Sequence, residues 1–309
     1  MTTLPIALVY GATGAQGGAV ARALQTTGRF HVRAATRNPA SDASLALAKT
    51  GVEVIKVDQA SDDDVAAASA GAQVVFAVTN HWDPSNIGKE QELARRMAKA
   101  ARDAGVNHYI WSTLAHISVV SKGKYAAGDF DDKAQVNEFI TSLGFPNHSF
   151  VRPGFYYENF ATFFAPTKAA DGTYVFDMPV SGGAYPMVRI ADYGSWVLAA
   201  IDEADKYGNG AILDAVTETA PMADFVARLG KIKNVPVKFN ALDGEAYAAG
   251  GVMEAASSSR TLATMAASRR TRTPDRVSRG TTFAPRWSCE RPEREDEWRR
   301  REAWPPCRP

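Results

Sequence analysis

The first residues able to do chemistry are Gly11-Ala12-Thr13-Gly14-Ala15-Gln16-Gly17-Gly18, set between the apolar run Ile6–Tyr10 and a stretch with helical spacing. The pattern is GxxGxxG. Gly11 permits a tight turn, Gly14 lets the backbone approach a ligand, and Gly17 lets the helix lie close to the strand. The helix end behind such a turn carries N–H groups without intrahelical partners and a partial positive charge, which is how proteins hold pyrophosphate. A glycine triplet alone also fits a plain tight turn. With strand, turn and helix all in place, dinucleotide binding is the reading.

The end of the second strand decides which dinucleotide. An Asp or Glu there would take a ribose 2′-hydroxyl. The chain instead reads Ala34-Ala35-Thr36-Arg37-Asn38-Pro39. Arg37, with Asn38 beside it, can meet a 2′-phosphate with a planar donor fork, so NADP(H) is expected as cofactor. Asp58 and Gln59, closing the third strand, fit either an adenine contact or the cap of the helix that starts near Asp62. His81, His108, His116 and His148 lack metal-ligand spacing, and Cys289 with Cys307 cannot form a four-ligand site, so no metal is expected. There is no GxSxG nucleophile elbow, which leaves hydrolase readings without support.

Short β-branched runs must position these residues: Ile6–Tyr10, His31–Thr36, Val52–Asp58, Gln73–Thr79, His108–Ser112 and Ser149–Arg152. Helical stretches alternate with them: Gly17–Thr26, Ser41–Lys49, Asp62–Ala70, Gly88–Ala104 and Asp132–Ser142. Gly28, Gly51, Gly71, Gly105 and Gly144 stop helices. Strands this uniformly apolar are covered on both faces, so the fold class is α/β with a doubly wound parallel (Rossmann) sheet. Residues 1–153 read as the nucleotide domain, with a return segment near 186–216 and a late strand at Ala211–Ala215. Residues 154–256 read as a smaller, substrate-side lobe that includes a helix over Thr219–Leu229 with Pro221 in its first turn.

The chain is 45% hydrophobic and 22% charged with a net charge of +1, which gives no global reason to expect nucleic acid or a membrane as partner. No apolar run reaches the roughly 18 residues of a membrane span, and the start lacks a signal-peptide pattern. A soluble protein of the cytoplasm, or also of the nucleus, is expected. The average hides a split. Residues 260–309 hold 13 Arg, no Lys and seven acids, a charge of +6 that leaves −5 for residues 1–259. From about residue 257 too little apolar surface exists to offset ordering entropy, so a disordered tail is expected. The abrupt loss of Lys, Ile and Leu suggests a shifted reading frame or a retained intron.

Four motifs in order, GATGAQGG at 11–18, TRNP at 36–39, VTNHW at 78–82 and RPGFYYENF at 152–160, together resemble the NmrA-like family of atypical short-chain dehydrogenases over roughly residues 4–250. The resemblance implies a Rossmann domain, a small C-terminal lobe and NADP(H). The best-known members are redox sensors that bind nucleotide and a protein partner, while isoflavone-reductase-like and quinone-reductase-like relatives are reductases. By position, the resemblance places Gly11 to Gly17 on the pyrophosphate and Arg37 on the 2′-phosphate. It places Thr79, Asn80, His81 and Trp82 near the nicotinamide ribose, and Lys133 beside the nicotinamide. Pro153, Tyr156, Tyr157, Glu158 and Asn159 belong to the segment that closes over that end.

A working short-chain dehydrogenase usually pairs its Lys with a Tyr four residues earlier. Ser112 stands where the carbonyl-orienting Ser belongs, and Lys133 is present, but the residue four before it is Asp129. A carboxylate does not replace a phenol as acid near neutral pH. Either Lys133 only holds nucleotide, or it is itself the acid or base; a separate hypothesis has Tyr156 or Tyr157 supply the missing phenol. Phe155, Phe160, Phe163 and Phe164 complete an aromatic cluster that lines a pocket or packs the lobe. The expected function is redox sensing through a regulatory protein partner. The alternative is NADPH-dependent reduction of a small carbonyl, quinone or enone substrate, in specialised metabolism. A homodimer is compatible with both.

Overall fold

A computed structural model describes residues 3–178 and 183–242. The expected tail and the end of the lobe lie outside the described residues.

The first six strands and the helices between them follow the apolar pattern closely. They are β1 (Ile6–Val9), α1 (Ala15–Thr26), β2 (His31–Thr36), α2 (Asp42–Ala48), β3 (Glu53–Lys56), α3 (Asp62–Ser69), β4 (Ala72–Ala77), α4 (Glu90–Asp103), β5 (His108–Ser112), α5 (Ile117–Val120), α6 (Gly128–Ser142) and β6 (Asn147–Pro153). The glycines at 28, 51, 71, 105 and 144 all take positive φ, between 65° and 88°, as helix-stopping residues should. Helix α6 starts at Gly128, one turn before the expected Asp132. The Asp131 carboxylate accepts from the Ala127 and Ser118 amides, fixing an earlier start than the apolar spacing alone suggests.

The chain continues through β7 (Phe155–Tyr156), β8 (Thr167–Lys168), β9 (Tyr174–Met178), β10 (Ala184–Val188), α7 (Tyr193–Asp202), α8 (Ala204–Tyr207), β11 (Asn209–Ala215), β12 (Glu218–Pro221), α9 (Met222–Lys233) and β13 (Val237–Ala241). The helix expected over Thr219–Leu229 is therefore two elements. Pro221, at ψ 139°, is extended and caps α9 rather than opening its first turn.

Two compact units result. The first comprises Met1–Tyr157 and Pro186–Thr219. It holds a seven-stranded sheet in the order β11-β6-β5-β4-β1-β2-β3, with every neighbouring pair parallel. The order reverses direction between β1 and β4, which is the switch point where open α/β sheets take ligands. Both faces are buried. Val9, Val20, Leu24, Phe76 and Tyr193 pack one side, and Leu8, Val75, Met97, Tyr109 and Trp111 the other. Gly194 opens α7 against α1: a Cβ there would lie 2.4 Å from the Ala19 carbonyl oxygen.

The second unit comprises Glu158–Tyr185 and the segment from Ala220. Its described part holds a sheet ordered β13-β9-β8, with β13 parallel and β8 antiparallel to β9. Phe160 packs against Phe176 and Phe225, with ring centroids 5.9 Å and 4.5 Å away. In the expected aromatic cluster Phe160 is thus core, while Phe163 is exposed.

Candidate functional site at the switch point

The loops after β1 and β4 flank the point of reversal, and the glycine turn forms the first wall. Gly11 has φ +63°, and a Cβ there would meet Val78 Cγ1 at 2.9 Å. A Cβ on Gly17 would stand 2.2 Å from the Gly11 carbonyl oxygen, so only glycine permits this turn and helix to touch. Helix α1 has no side-chain cap and no acid in its first turn. Thr13, Gly14 and Ala15 are exposed, with Gln16 partly so, while Ala12 and Gly17 are buried. The first-turn N–H groups of α1 thus open onto an exposed backbone with no competing anion. This cradle fits a pyrophosphate.

Gln16 ties the turn to the β5 and β7 ends. The Ser112 hydroxyl donates to Gln16 Oε1 at 2.6 Å, and Gln16 Nε2 donates to the Tyr156 hydroxyl. Buried Tyr193, whose Oη lies 3.1 Å from both Ser112 Oγ and the Val151 carbonyl, supports Ser112 from below. Burial holds the Tyr193 phenol well above its ordinary pKa, so it stays protonated. Tyr157 instead donates to Glu218 at 2.7 Å. The structure therefore brings Ser112, Gln16 and Tyr156 together and turns Tyr157 elsewhere. Pro153 and Gly154 are buried; a Cβ on Gly154 would meet the Pro186 carbonyl oxygen at 2.6 Å. Glu158 and Asn159 are partly buried, and their backbone carbonyls accept hydrogen bonds from Thr162 and Phe164.

Lys133 lies in α6 and is only 8% exposed. Its ammonium donates to Glu90 Oε1, to the Thr79 carbonyl at 3.0 Å and to Thr79 Oγ1 at 2.9 Å. Thr79 Oγ1 in turn donates to Glu90 at 2.6 Å, and His81 Nδ1 sits 3.1 Å from the other Glu90 oxygen. The Trp111 indole donates to the Lys133 carbonyl at 3.1 Å, locking the helix turn. Burial pulls the Lys133 pKa down, against the upward pull of Glu90, Asp129 and Asp132. Asp129, where a phenol would be expected, is partly buried and its pKa is raised by that burial.

Glu90 is the residue that sequence reasoning missed. It is 1% exposed and opens α4. The signal was present: Glu90, Leu93, Ala94, Met97, Ala98 and Ala101 share one buried stripe, so an acid stood at an apolar position of the helical period. His81, Glu90 and Asp132 bring ligand atoms within 4.8 Å of one another. The Lys133 ammonium already supplies the cation of that cluster.

Arg37 is exposed, and its Nη2 meets Asp83 Oδ2 at 2.5 Å. Asn38 folds its side chain onto the Ala40 amide at 3.1 Å. Asp58 accepts from the Ala60 amide at 2.9 Å, and Ser61 rather than Asp58 caps α3. Gln59 is partly buried beside it. Asn80 accepts from the Trp82 amide at 3.2 Å, and Trp82, stacked edge-on against His81, is 54% exposed. Among the described residues no helix is long and apolar enough to cross a membrane.

Several known proteins are similar to this chain. An NmrA-like family domain-containing protein of Dictyostelium discoideum is 34% identical over 166 residues, which are 52% of this chain and 54% of that relative, so this match spans about half the relative's length. The NmrA-like family domain-containing oxidoreductase hkm9 of Aspergillus hancockii is 30% identical over 82% of this chain and 80% of its own length. The crystal structure of NmrA, a negative transcriptional regulator, in complex with NADP superposes with a TM-score of 0.70 at 23% identity, covering 78% of this chain and 75% of that one. The parallel sheet, the glycine turn at its switch point and a match over residues 6–271 lead to one assignment: the chain belongs to the NmrA-like family.

Proposed function

We propose that the protein binds NADP(H) at the switch point and reports the nucleotide's redox state through a protein partner. The observation that carries the binding is the uncapped N-terminus of α1 behind a turn in which Gly17 has no room for a Cβ. Arg37 would meet the 2′-phosphate, and Gly11 to Gly17 the pyrophosphate. A nicotinamide bound there supplies or accepts a hydride. Sensing rather than turnover is favoured because the Lys133 ammonium is spent on Glu90 and Thr79, and because Asp129 stands where a phenol would donate a proton. NADP binding by a fold relative and its description as a regulator support the same reading.

A second reading, reduction of a small carbonyl, quinone or enone, is favoured by the oxidoreductase name of the Aspergillus hancockii relative. It also has a geometric basis in Ser112 and Tyr156 meeting on Gln16. There Ser112 would orient a carbonyl and Tyr156 would hold the proton.

The deciding experiment is a titration with NADPH and with NADP⁺, followed by an NADPH-consumption assay over quinones, enones and aldehydes. The sensor reading expects binding of both forms without consumption, and a change of shape or assembly that differs between them, since a ligand without differential affinity shifts nothing. Consumption that depends on an added substrate and falls in Tyr156→Phe would overturn it in favour of the reductase. No binding of either form would remove both.

A further inference from the structure

The strongest residue without a role in that reading is Asp83. It begins the 3-10 turn Pro84–Asn86, and its Oδ1 accepts from the Ser85 amide at 3.0 Å and the Ser85 hydroxyl at 2.5 Å. These bonds aim Oδ2 at Arg37, whose Nη2 it meets at 2.5 Å, while Arg37 Nη1 lies 3.4 Å from Ser85 Oγ. The carboxylate side chain is 13% exposed and the guanidinium side chain 61%. The acid is thus the shielded member and the arginine the solvent-facing one. Arg37 and Ser85 together hold the Asp83 carboxyl down at about 2, so it is anionic throughout the physiological range.

A carboxylate and a phosphate are recognised by the same guanidinium fork. We propose that Asp83 is a specificity-determining residue that competes with a 2′-phosphate for Arg37, lowering the preference for NADP(H) over NAD(H). A nucleotide lacking that phosphate leaves the Arg37–Asp83 pair in place. A 2′-phosphorylated one must draw Arg37 off Asp83, or bring the loop that carries Asp83 with it. The inference rests on the nucleotide reading above.

It is tested with the full chain by titrating NADPH, NADH, adenosine 2′,5′-bisphosphate and AMP into wild type, Asp83→Asn, Asp83→Ala and Arg37→Ala. Asparagine keeps an acceptor for the Ser85 amide, so the turn is preserved. The exposed pair is of the kind whose loss changes an equilibrium by about two- to fivefold. Both Asp83 variants are therefore expected to bind NADPH and the bisphosphate about two- to fivefold more tightly, with NADH and AMP unchanged. Arg37→Ala should weaken only the 2′-phosphorylated ligands. Unchanged or weaker NADPH binding in both Asp83 variants, with wild type still binding, overturns this inference and leaves the nucleotide reading intact. Wild type that binds none of the four overturns both.

Discussion

Asp83 and Glu90 stand seven residues apart on the segment that follows β4, and each meets one basic side chain from another element. Arg37–Asp83 joins an exposed guanidinium to a shielded acid at the surface, and Lys133–Glu90 is sealed inside. An exposed pair contributes about 0–1 kcal/mol because water and salt screen it and the side chains lose freedom. A buried pair gives no large net gain either, but leaving one partner alone in the interior costs about 3–5 kcal/mol. The difference teaches how one loop is divided. Its β4-distal end is anchored by a pair that is costly to break, and its middle by one that is cheap to break.

The largest test of that contrast is Glu90→Ala, which strands the Lys133 ammonium. Urea unfolding should show a loss of about 3–5 kcal/mol, recovered for the most part in the double variant Glu90→Met with Lys133→Met. A single variant as stable as wild type would erase the distinction between the two pairs.

A second interior site sharpens the comparison without any ion pair. His108 Nε2 lies 2.7 Å from Ser149 Oγ, whose proton goes to the Tyr207 carbonyl at 2.9 Å, so the imidazole must be the donor. Burial, with nearby His148, pushes the His108 pKa down from 6.5 to about 4. The unfolded chain binds that proton more readily, so the stabilisation is complete above 6.5 and is lost as pH falls toward 4. Its full size is about 3 kcal/mol. The wild type should lose that much more stability on acidification than His108→Gln, measured by urea midpoints at both ends of the window. Parallel pH profiles would show that the interior does not penalise charge there.

The smallest effect belongs to the surface. Arg37→Ala should change unfolding free energy by less than about 1 kcal/mol, and salt should remove what change there is. A salt-insensitive loss of several kcal/mol would mean that the exposed pair is an anchor as well.

Much of this architecture could be read directly from the residues. β2 and β5 have the expected ends, and each follows within three residues of a helix-stopping glycine, Gly28 or Gly105, which leaves little choice of where the strand begins. The glycine turn was equally legible, since its spacing encodes a steric requirement that Gly17 makes explicit. The partners of the charged residues were not. Nothing local links Lys133 to Glu90 or Arg37 to Asp83, pairs 43 and 46 residues apart in sequence. Asp131 and Asp132 precede Lys133 directly in sequence, yet both take other hydrogen-bond partners. Helix geometry turns Asp131 onto the Ala127 and Ser118 amides, and Asp132 accepts from Gln91 instead. Strand and helix boundaries follow local periodicity, whereas charge pairing follows the sheet order, and that order becomes visible only in three dimensions.

The seventh strand of the sheet also constrains how the chain is made. β11 pairs with β6 from Asn209 to Ala215, and α7 packs Gly194 onto the backbone of α1. On a ribosome, β6 is finished some sixty residues before its outer neighbour exists. Until then its outer edge presents unpaired backbone groups, the surface on which strands of other chains add. A fragment ending after residue 157 would carry every glycine of the turn and every residue of β1 to β6, yet keep that edge open. Completion of the first unit therefore depends on translation running through the whole intervening segment, and a stop within it would leave the outer edge of β6 without its neighbour.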